Sequence, residues 1–192
     1  MDSNNNSRRP YTAAIAVVAI AALVLAAMFI APRLRGGTDG DAEYNAVDVH
    51  FIGMMVPHHD QAIEMSDVLL ASELDDPEVR DLAQRIKDGQ ERENRQMLEW
   101  ADEWGIDEDM EFHSHHIANG MFMPDELETF RDLDGEELRE QFLRLMHHHH
   151  AEVIAMTQGE VENGGYAPLR ELAQEMIDIQ TAEMREMEQL QR

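Results

Sequence analysis

The 192-residue chain contains no cysteine. Disulfide bonds, thiolate metal sites and a lipid-modified cysteine are therefore excluded. Aromatic residues make up only 6% of the chain, and 15 basic residues stand against 40 acidic ones. Any metal ligands must therefore come from the 10 histidines, the 14 methionines or the carboxylates.

The few basic residues are concentrated near the N-terminus. The charged residues before residue 36 are one acid, Asp2, and four bases. Residues 36–192 therefore contain 39 acidic and 11 basic residues and carry a formal charge of −28. Such a field repels nucleic acid and attracts cations. We therefore expect no nucleic-acid partner, although solubility in a salty or exposed setting explains the acidity equally well.

Long apolar runs are also scarce, since residues 11–30, "YTAAIAVVAIAALVLAAMFI", form the one uncharged stretch of this length. At about 1.5 Å per residue, a helix over this run would just cross a hydrocarbon layer of about 30 Å. We predict a short tail at 1–10, a transmembrane anchor at 11–30 and a flexible linker at 31–43. The predicted location is a single-pass cell-membrane protein with its soluble domain outside the cytoplasm. The alternative is a secreted protein after cleavage of a signal peptide near Ala26.

The soluble part, residues 44–192, contains an internal repeat. A shift of 91 residues aligns "FIGMMVPHHDQAIEM" at 51–65 with "FLRLMHHHHAEVIAM" at 142–156. A shift of 90 residues aligns "RDLAQRIKDGQERENRQMLEW" with "RELAQEMIDIQTAEMREMEQL". We therefore predict a duplication with repeat one at 44–104, a connector at 105–135 and repeat two at 136–191.

Each repeat is predicted to form a helical hairpin. Apolar residues recur at alternating steps of three and four, which is typical of one buried helix face. Asp76 before Pro77 predicts an N-cap, and "NGG" at 163–165 predicts a C-terminal stop. The expected helices span 44–73, 77–104, 136–162 and 168–191, with one short helix after Pro124. Two such hairpins are expected to close as an all-α four-helix bundle.

Histidines occupy the predicted seam of this bundle, where apolar residues are usual. A buried imidazole requires a hydrogen-bond partner or a metal, because unpaired burial costs on the order of 1 to 3 kcal/mol. Each repeat offers a Met-x-x-His-His cluster. These clusters are Met55 with His58 and His59, and Met146 with His149 and His150. Met65 and Met156 lie about two turns further along, as core packing or as ligands of a separate layer.

Further polar and sulfur-containing residues could support or extend this site. They are Glu93, Glu183, Met97, Met187, His147 and His148, acting as partners of the ligands or as additional ligands. The loop residues His113, His115 and His116 form either an auxiliary metal-collecting site or a solvated loop. Imidazole and thioether without thiolate indicate copper, as Cu(I) or Cu(II), with zinc as the alternative.

These blocks resemble the family catalogued as domain of unknown function 305. The likeness covers residues 44–191 and rests on "PHH" at 57–59, on Gln90 and Glu93, and on the second His-His motif. The resemblance implies a ferritin-like fold, export or membrane anchoring, and copper binding in some members. It marks as metal ligands Met55, His58, His59, Met65, Met146, His149, His150 and Met156.

The second repeat departs from the family pattern at several positions. Arg139 stands where the first repeat has Asp48, Val153 replaces the smaller Ala62, and His147 and His148 are additions. We therefore expect the two half-sites to be inequivalent.

Three functions compete. The first is a membrane-anchored extracytoplasmic protein that sequesters or hands on a metal ion, most simply copper. The second is a structural or interaction bundle with pH-sensitive histidines and an unidentified protein partner. The third is a metal-dependent redox enzyme, which is disfavoured because the chain has no Glu-x-x-His motif of the kind that di-iron bundles use. No catalytic residue is assigned.

Overall fold

The computed structural model describes residues 44–106 and 120–192, and these residues form an all-α domain of five helices. Four helices are long and one is short. They are α1 (Ala46–Ala71), α2 (Pro77–Glu103), α3 (Pro124–Arg131), α4 (Gly135–Asn163) and α5 (Ala167–Leu190). The predicted ends of the four long helices are confirmed to within two residues.

Local sequence explains where the helices begin. The side chain of Asn45 accepts hydrogen bonds from the backbone of Val47 and Asp48, and Asp48 bonds back to Asn45 to complete a capping box. At the start of α2, the side chain of Asp76 accepts hydrogen bonds from the backbone of Glu78 and Val79, with Pro77 at the first helical position. α1 is continuous through Pro57.

The long helices pack in pairs. α1 packs most extensively on α2 and α4 on α5, while α1 also contacts α4 and α2 contacts α5. The short α3 lies against α1. Its Leu127 and Phe130 are buried in the core, so α3 covers one part of the interior.

The apolar core is divided into two clusters, which we call core A and core B. Core A includes Ala62, Met65 and Leu69 of α1 together with Phe142 and Met146 of α4. Core B includes residues from the opposite ends of the same two helices. Its α1 and α4 members are Phe51, Ile52, Met55, Val56 and Val153.

Within residues 44–106 and 120–192, no helix is long and apolar enough to cross a bilayer. The predicted tail, anchor and linker at 1–43 lie outside the described residues.

Candidate metal centre

A buried polar layer separates core A from core B, and all four long helices contribute to it. On each helix, the residues that belong to core A and to core B lie on either side of these polar positions. At least nine-tenths of each residue is buried. The layer consists of His58 and His59 on α1, Gln90 and Asn94 on α2, His149 and His150 on α4, and Gln180 and Glu183 on α5.

At the centre of the layer, one imidazole from each predicted repeat meets the other. The rings of His58 and His149 stack with their centroids 3.6 Å apart and their planes inclined by 28°. Neither ring nitrogen of His149 has a hydrogen-bond partner among the described residues. Burial, reinforced by the neighbouring imidazoles, lowers the pKa of His149 well below its usual value. His149 is therefore neutral, which is the form that ligates metals.

The hydrogen bonds of His59 define its tautomer. Its Nδ1 lies 3.0 Å from Oδ1 of Asn94. The amide nitrogen of Asn94 donates to the Val56 carbonyl and to Asp60, so Asn94 Oδ1 is the acceptor and His59 Nδ1 carries the proton. The lone pair of His59 is consequently on Nε2, which faces Glu93 Oε2 at 3.4 Å.

The charges around His59 follow from burial. Burial lowers the pKa of His59 to about 3, against which the Asn94 hydrogen bond acts. Burial, and then the nearby carboxylate of Glu183, raise the pKa of Glu93 to about 8. At neutral pH the pair therefore consists of a neutral imidazole and a protonated carboxyl, so a cation entering between them would displace the Glu93 proton.

His150 has different partners from His59. Its Nε2 lies 2.9 Å from Oε2 of Glu183, and its Nδ1 has no hydrogen-bond partner in residues 44–106 and 120–192. The shift of 90 residues that aligns the second blocks puts Met184 opposite Asn94, so the amide that orients His59 has no counterpart. The two halves of the layer are therefore chemically different.

The predicted methionine ligands flank the layer on both sides. Met55 and Met97 are fully buried in core B, and the partly buried Met156 packs against that cluster. Met65, Met146 and Met187 are fully buried in core A. Each side of the histidine layer thus has thioethers from α1, from α4 and from a neighbouring helix. Met55 shares a cluster with Met156 rather than with Met146.

The four consecutive histidines of α4 divide into two pairs. His149 and His150 are completely buried, whereas the side chains of His147 and His148 are 33% and 55% exposed. His147 lies 3.4 Å from Glu188, and His148 lies 3.9 Å from Glu152. His113, His115 and His116 lie outside the described residues.

The carboxylate of Asp48 and its predicted counterpart Arg139 both hold helix connections. Asp48 is buried and accepts hydrogen bonds from the backbone of Gly165 and Tyr166, at 2.8 and 2.9 Å, in the connection between α4 and α5. Arg139 donates to Asp76 and to the Leu190 carbonyl at the end of α5. At equivalent positions of the two predicted repeats, Asp48 thus accepts hydrogen bonds from backbone N–H groups, whereas Arg139 donates to a carboxylate and a carbonyl.

Sequence reasoning missed three residues of this centre. Asn94 follows Gln90 by one helical turn, a spacing that could have placed it in the layer. Phe122 stacks on His149 with ring centroids 5.9 Å apart, and Gln61 bonds to the backbone of Phe122. Gln61 and Phe122 are far apart in the sequence, so no local pattern predicts that they pair.

The present geometry brings predicted ligands into one layer without arranging them around one point. Among the described residues, no group of three or more histidines and carboxylates is placed to hold a metal ion. Stacked rings direct their in-plane lone pairs side by side, so one ion cannot lie about 2 Å from both in their planes. Binding between His58 and His149 would therefore require a ring to rotate.

Fold and centre together define an all-α protein with a buried histidine and methionine layer. The chain belongs to the DUF305 family of domains of unknown function, whose family model matches residues 48–191. No protein of curated function matches this chain.

Solved structures resemble the domain over most of its length. A DUF305 protein from Streptomyces coelicolor, described as a candidate secreted protein, is 32% identical and has a TM-score of 0.68. The match covers 75% of this chain and 91% of that one. A DUF305 fragment from Deinococcus radiodurans is 29% identical, with a TM-score of 0.69, and the match covers 77% and 97% of the two chains.

CopM also resembles this chain. Its Cu(I)-bound form is 29% identical with a TM-score of 0.60, and the match covers 74% of this chain and 94% of CopM. CopM has further been crystallised with Cu(II) and with silver.

Proposed function

We propose that this domain binds copper in its buried histidine and methionine layer and sequesters or transfers the ion outside the cytoplasm. The observation that carries the proposal is the central histidine pair. A fully buried, neutral His149 with no hydrogen-bond partner in the described residues retains free lone pairs. A metal ion would satisfy these lone pairs. Without one, the buried imidazole has lost its hydration and gained no hydrogen bond in exchange.

The donor set favours Cu(I) over harder ions. Thioethers are soft ligands that select Cu(I), and imidazole suits both copper oxidation states. The proposed ligands are His58, His59, His149 and His150, with thioethers from Met55 and Met156 on one side and Met65 and Met146 on the other. Asn94 would orient His59 and Glu183 would orient His150, a role that hydrogen-bond partners of ligands commonly have in metal sites. Glu93, which faces the Nε2 lone pair of His59, would be an additional ligand. The copper and silver complexes of the related CopM support this choice of ion.

Location and architecture complete the proposal. Residues 11–30 would anchor the protein, and the domain would face an oxidising compartment where thioethers replace thiolates as soft ligands. We further propose that the four long helices form a ferritin-like bundle that arose by duplication. The stacked His58 and His149 would then mark its twofold axis.

The alternative of a pH-sensitive structural seam receives less support. The pKa of His59 is about 3, so this imidazole stays neutral throughout the physiological range. Neutral, buried histidines suit ligation better than pH sensing.

Metal titration tests the proposal. Residues 36–192 would be titrated with Cu(I), Cu(II) and Zn(II) against competing chelators. We expect His58→Ala/His149→Ala to weaken Cu(I) binding by at least about 100-fold, since loss of even an outer-shell partner costs about 10- to 100-fold. The matched control is His147→Ala/His148→Ala, which removes the exposed pair and should retain tight binding. Equal affinities in the two double variants would refute a buried site, and X-ray absorption at the copper edge would show whether sulfur is bound.

A further inference from the structure

The buried histidines are covered by a short segment of the connector, residues 120–123. At its centre, Phe122 is 9% exposed and its ring stacks on His149 at a centroid distance of 5.9 Å with an interplanar angle of 20°. The exposed His148 also lies near this ring, at a centroid distance of 6.3 Å. Phe122 therefore contacts both an exposed imidazole and a completely buried one.

One side chain fastens this segment to α1. The amide nitrogen of Gln61 donates to the Phe122 carbonyl at 2.9 Å, and the Phe122 N–H donates to the amide oxygen of Gln61, also at 2.9 Å. A single glutamine thus satisfies both backbone groups of the residue whose ring covers His149. Water could replace both bonds when the segment lifts, so opening exposes no unpaired backbone.

The segment also lies unusually close to α4. Gly120 has a φ of +79°, and a Cβ there would lie 2.5 Å from Cβ of Glu152 and 3.4 Å from the His149 carbonyl. Only glycine fits this conformation at this distance. The segment therefore rests on both α1 and α4 across the seam that holds the histidine pair.

Beyond the segment, the chain is held firmly. Leu127 and Phe130 of α3 are buried in core A, and Arg131 donates to Glu64 of α1 at 2.7 Å. Lifting residues 120–123 would take Phe122 out of core A, but it would leave these contacts and the pairing of the long helices in place. It is therefore a less costly way to expose His149 than separating α1 from α4.

We propose that Phe122, held by Gln61, is a gate that controls the rate at which metal ions reach and leave the buried histidine layer. This inference rests on the proposed function. Because His149 is completely buried, an ion can reach it only if a covering group moves. The exposed His148 lies near the Phe122 ring and could receive an arriving ion, which gives a role to one of the two added histidines of repeat two.

The gate predicts a kinetic effect that is separate from affinity. Each net hydrogen bond contributes roughly a factor of two to twelve to an equilibrium constant. Loss of both Gln61 bonds should therefore raise the open fraction, and with it the rates of metal entry and exit, about tenfold or more. Both rates increase together, so the dissociation constant should change much less than either rate.

The first test measures access to His149 without any metal. The full chain, as wild type, Gln61→Ala and Phe122→Ala, would be treated with diethyl pyrocarbonate, and acylation at each histidine followed by peptide mass spectrometry. We expect acylation of His149 to be about tenfold or more faster in both variants. The exposed His50 of α1 serves as an internal reference. Gln84→Ala is the matched control, since Gln84 donates to Asp88 on the surface of α2.

The second test measures uptake and release of Ag(I) by stopped flow in the same proteins. Faster exchange with a nearly constant dissociation constant supports the gate, and unchanged exchange rates with intact binding overturn it. Unchanged acylation of His149 in the Gln61 and Phe122 variants likewise overturns it. Faster acylation of His149 in the two variants, together with a wild type that binds no metal, would support the gate and refute the proposed function.

Gln61→Glu is a more conservative variant that tests the same contact if the alanine variants misfold. Its carboxylate still accepts from the Phe122 N–H but offers no donor to the Phe122 carbonyl. We expect an acylation rate between those of wild type and Gln61→Ala, with an unchanged circular dichroism spectrum. A rate equal to that of wild type would contradict the proposal that Gln61 holds Phe122 in place.

Discussion

At the scale of single residues, His149 is energetically unfavourable in the metal-free protein. Neither ring nitrogen of His149 has a hydrogen-bond partner within the described part of the chain. An unsatisfied buried polar group costs about 1 to 3 kcal/mol. A bundle selected for stability alone would have an aliphatic side chain at this position, so the histidine indicates a function other than packing.

His149→Leu should therefore stabilise the metal-free domain while weakening copper binding. The substitution removes the unsatisfied imidazole and keeps a buried side chain, so we expect the free energy of unfolding to rise by about 1 kcal/mol. Urea denaturation of the metal-free protein measures this change. His148→Leu makes the same substitution at an exposed neighbour and should change stability little. A loss of stability in His149→Leu would instead indicate that the stacked imidazoles are structural.

Spacing alone could place the histidines in the interior but could not assign their partners. His58 and His149 lie on the helical seam because their spacing from apolar neighbours is fixed by the helix period. The contact of His59 with Asn94 depends on the rotation of α2 relative to α1, which no local pattern encodes. The stacking of Phe122 on His149 could not be predicted for the same reason, because it depends on how distant parts of the chain pack together.

At the scale of helices, sequence predicted the ends well because caps, prolines and glycines determine them locally. Asp76 with Pro77 begins α2, and α4 ends just before Gly164 as the "NGG" signal indicates. Less predictable was the connection from α4 to α5, where the buried Glu160 faces Asp48 of α1. A Cβ at Gly164 would overlap the Glu160 carboxyl, so the turn closes tightly over this pair.

The pair of Glu160 and Asp48 should make stability depend on pH. Burial, and then Asp48, raise the pKa of Glu160 from 4.5 to about 8. The folded state therefore binds the proton more tightly than the unfolded state. The resulting stabilisation is complete below about pH 4.5 and is lost as pH rises through about 8.

Glu160→Gln should remove this part of the pH dependence. The glutamine amide stays neutral and can still donate to Asp48, so the variant should exceed wild type in stability at about pH 9 by about 1 kcal/mol or more. Urea denaturation between pH 5 and 9 gives the comparison, with the exposed Glu162→Gln as control. Parallel pH profiles for Glu160→Gln and wild type would show that Glu160 is not protonated in the folded protein.

At the scale of the whole molecule, the dominant property is charge. Residues 36–192 carry a formal charge of −28, and the ion pairs formed by the few basic residues are largely exposed, such as those of Arg85. Self-repulsion of this size destabilises a compact state and concentrates cations near its surface. For a domain that binds metal ions, the higher local concentration of cations would be an advantage, and the self-repulsion would be its cost in stability.

Monovalent salt should therefore stabilise the domain. Raising NaCl from about 0.01 M to about 0.5 M shortens the Debye length from about 30 Å to under 10 Å and screens the repulsion. We expect a gain of about 1 kcal/mol, or roughly 2 to 4 °C in Tm. Thermal unfolding of metal-free protein as a function of NaCl concentration measures it. A Tm that falls with NaCl would show that attractive ion pairs outweigh the net repulsion.

The stacking of His58 on His149 has a topological consequence. An ion held by both side chains would close a loop of about 90 residues, a span for which a disulfide is worth between about 4 and 5 kcal/mol by chain entropy. The chain has no cysteine, so the bound ion would supply a covalent-like cross-link that can be removed. Resistance to unfolding and to proteolysis would then report how much metal the protein carries.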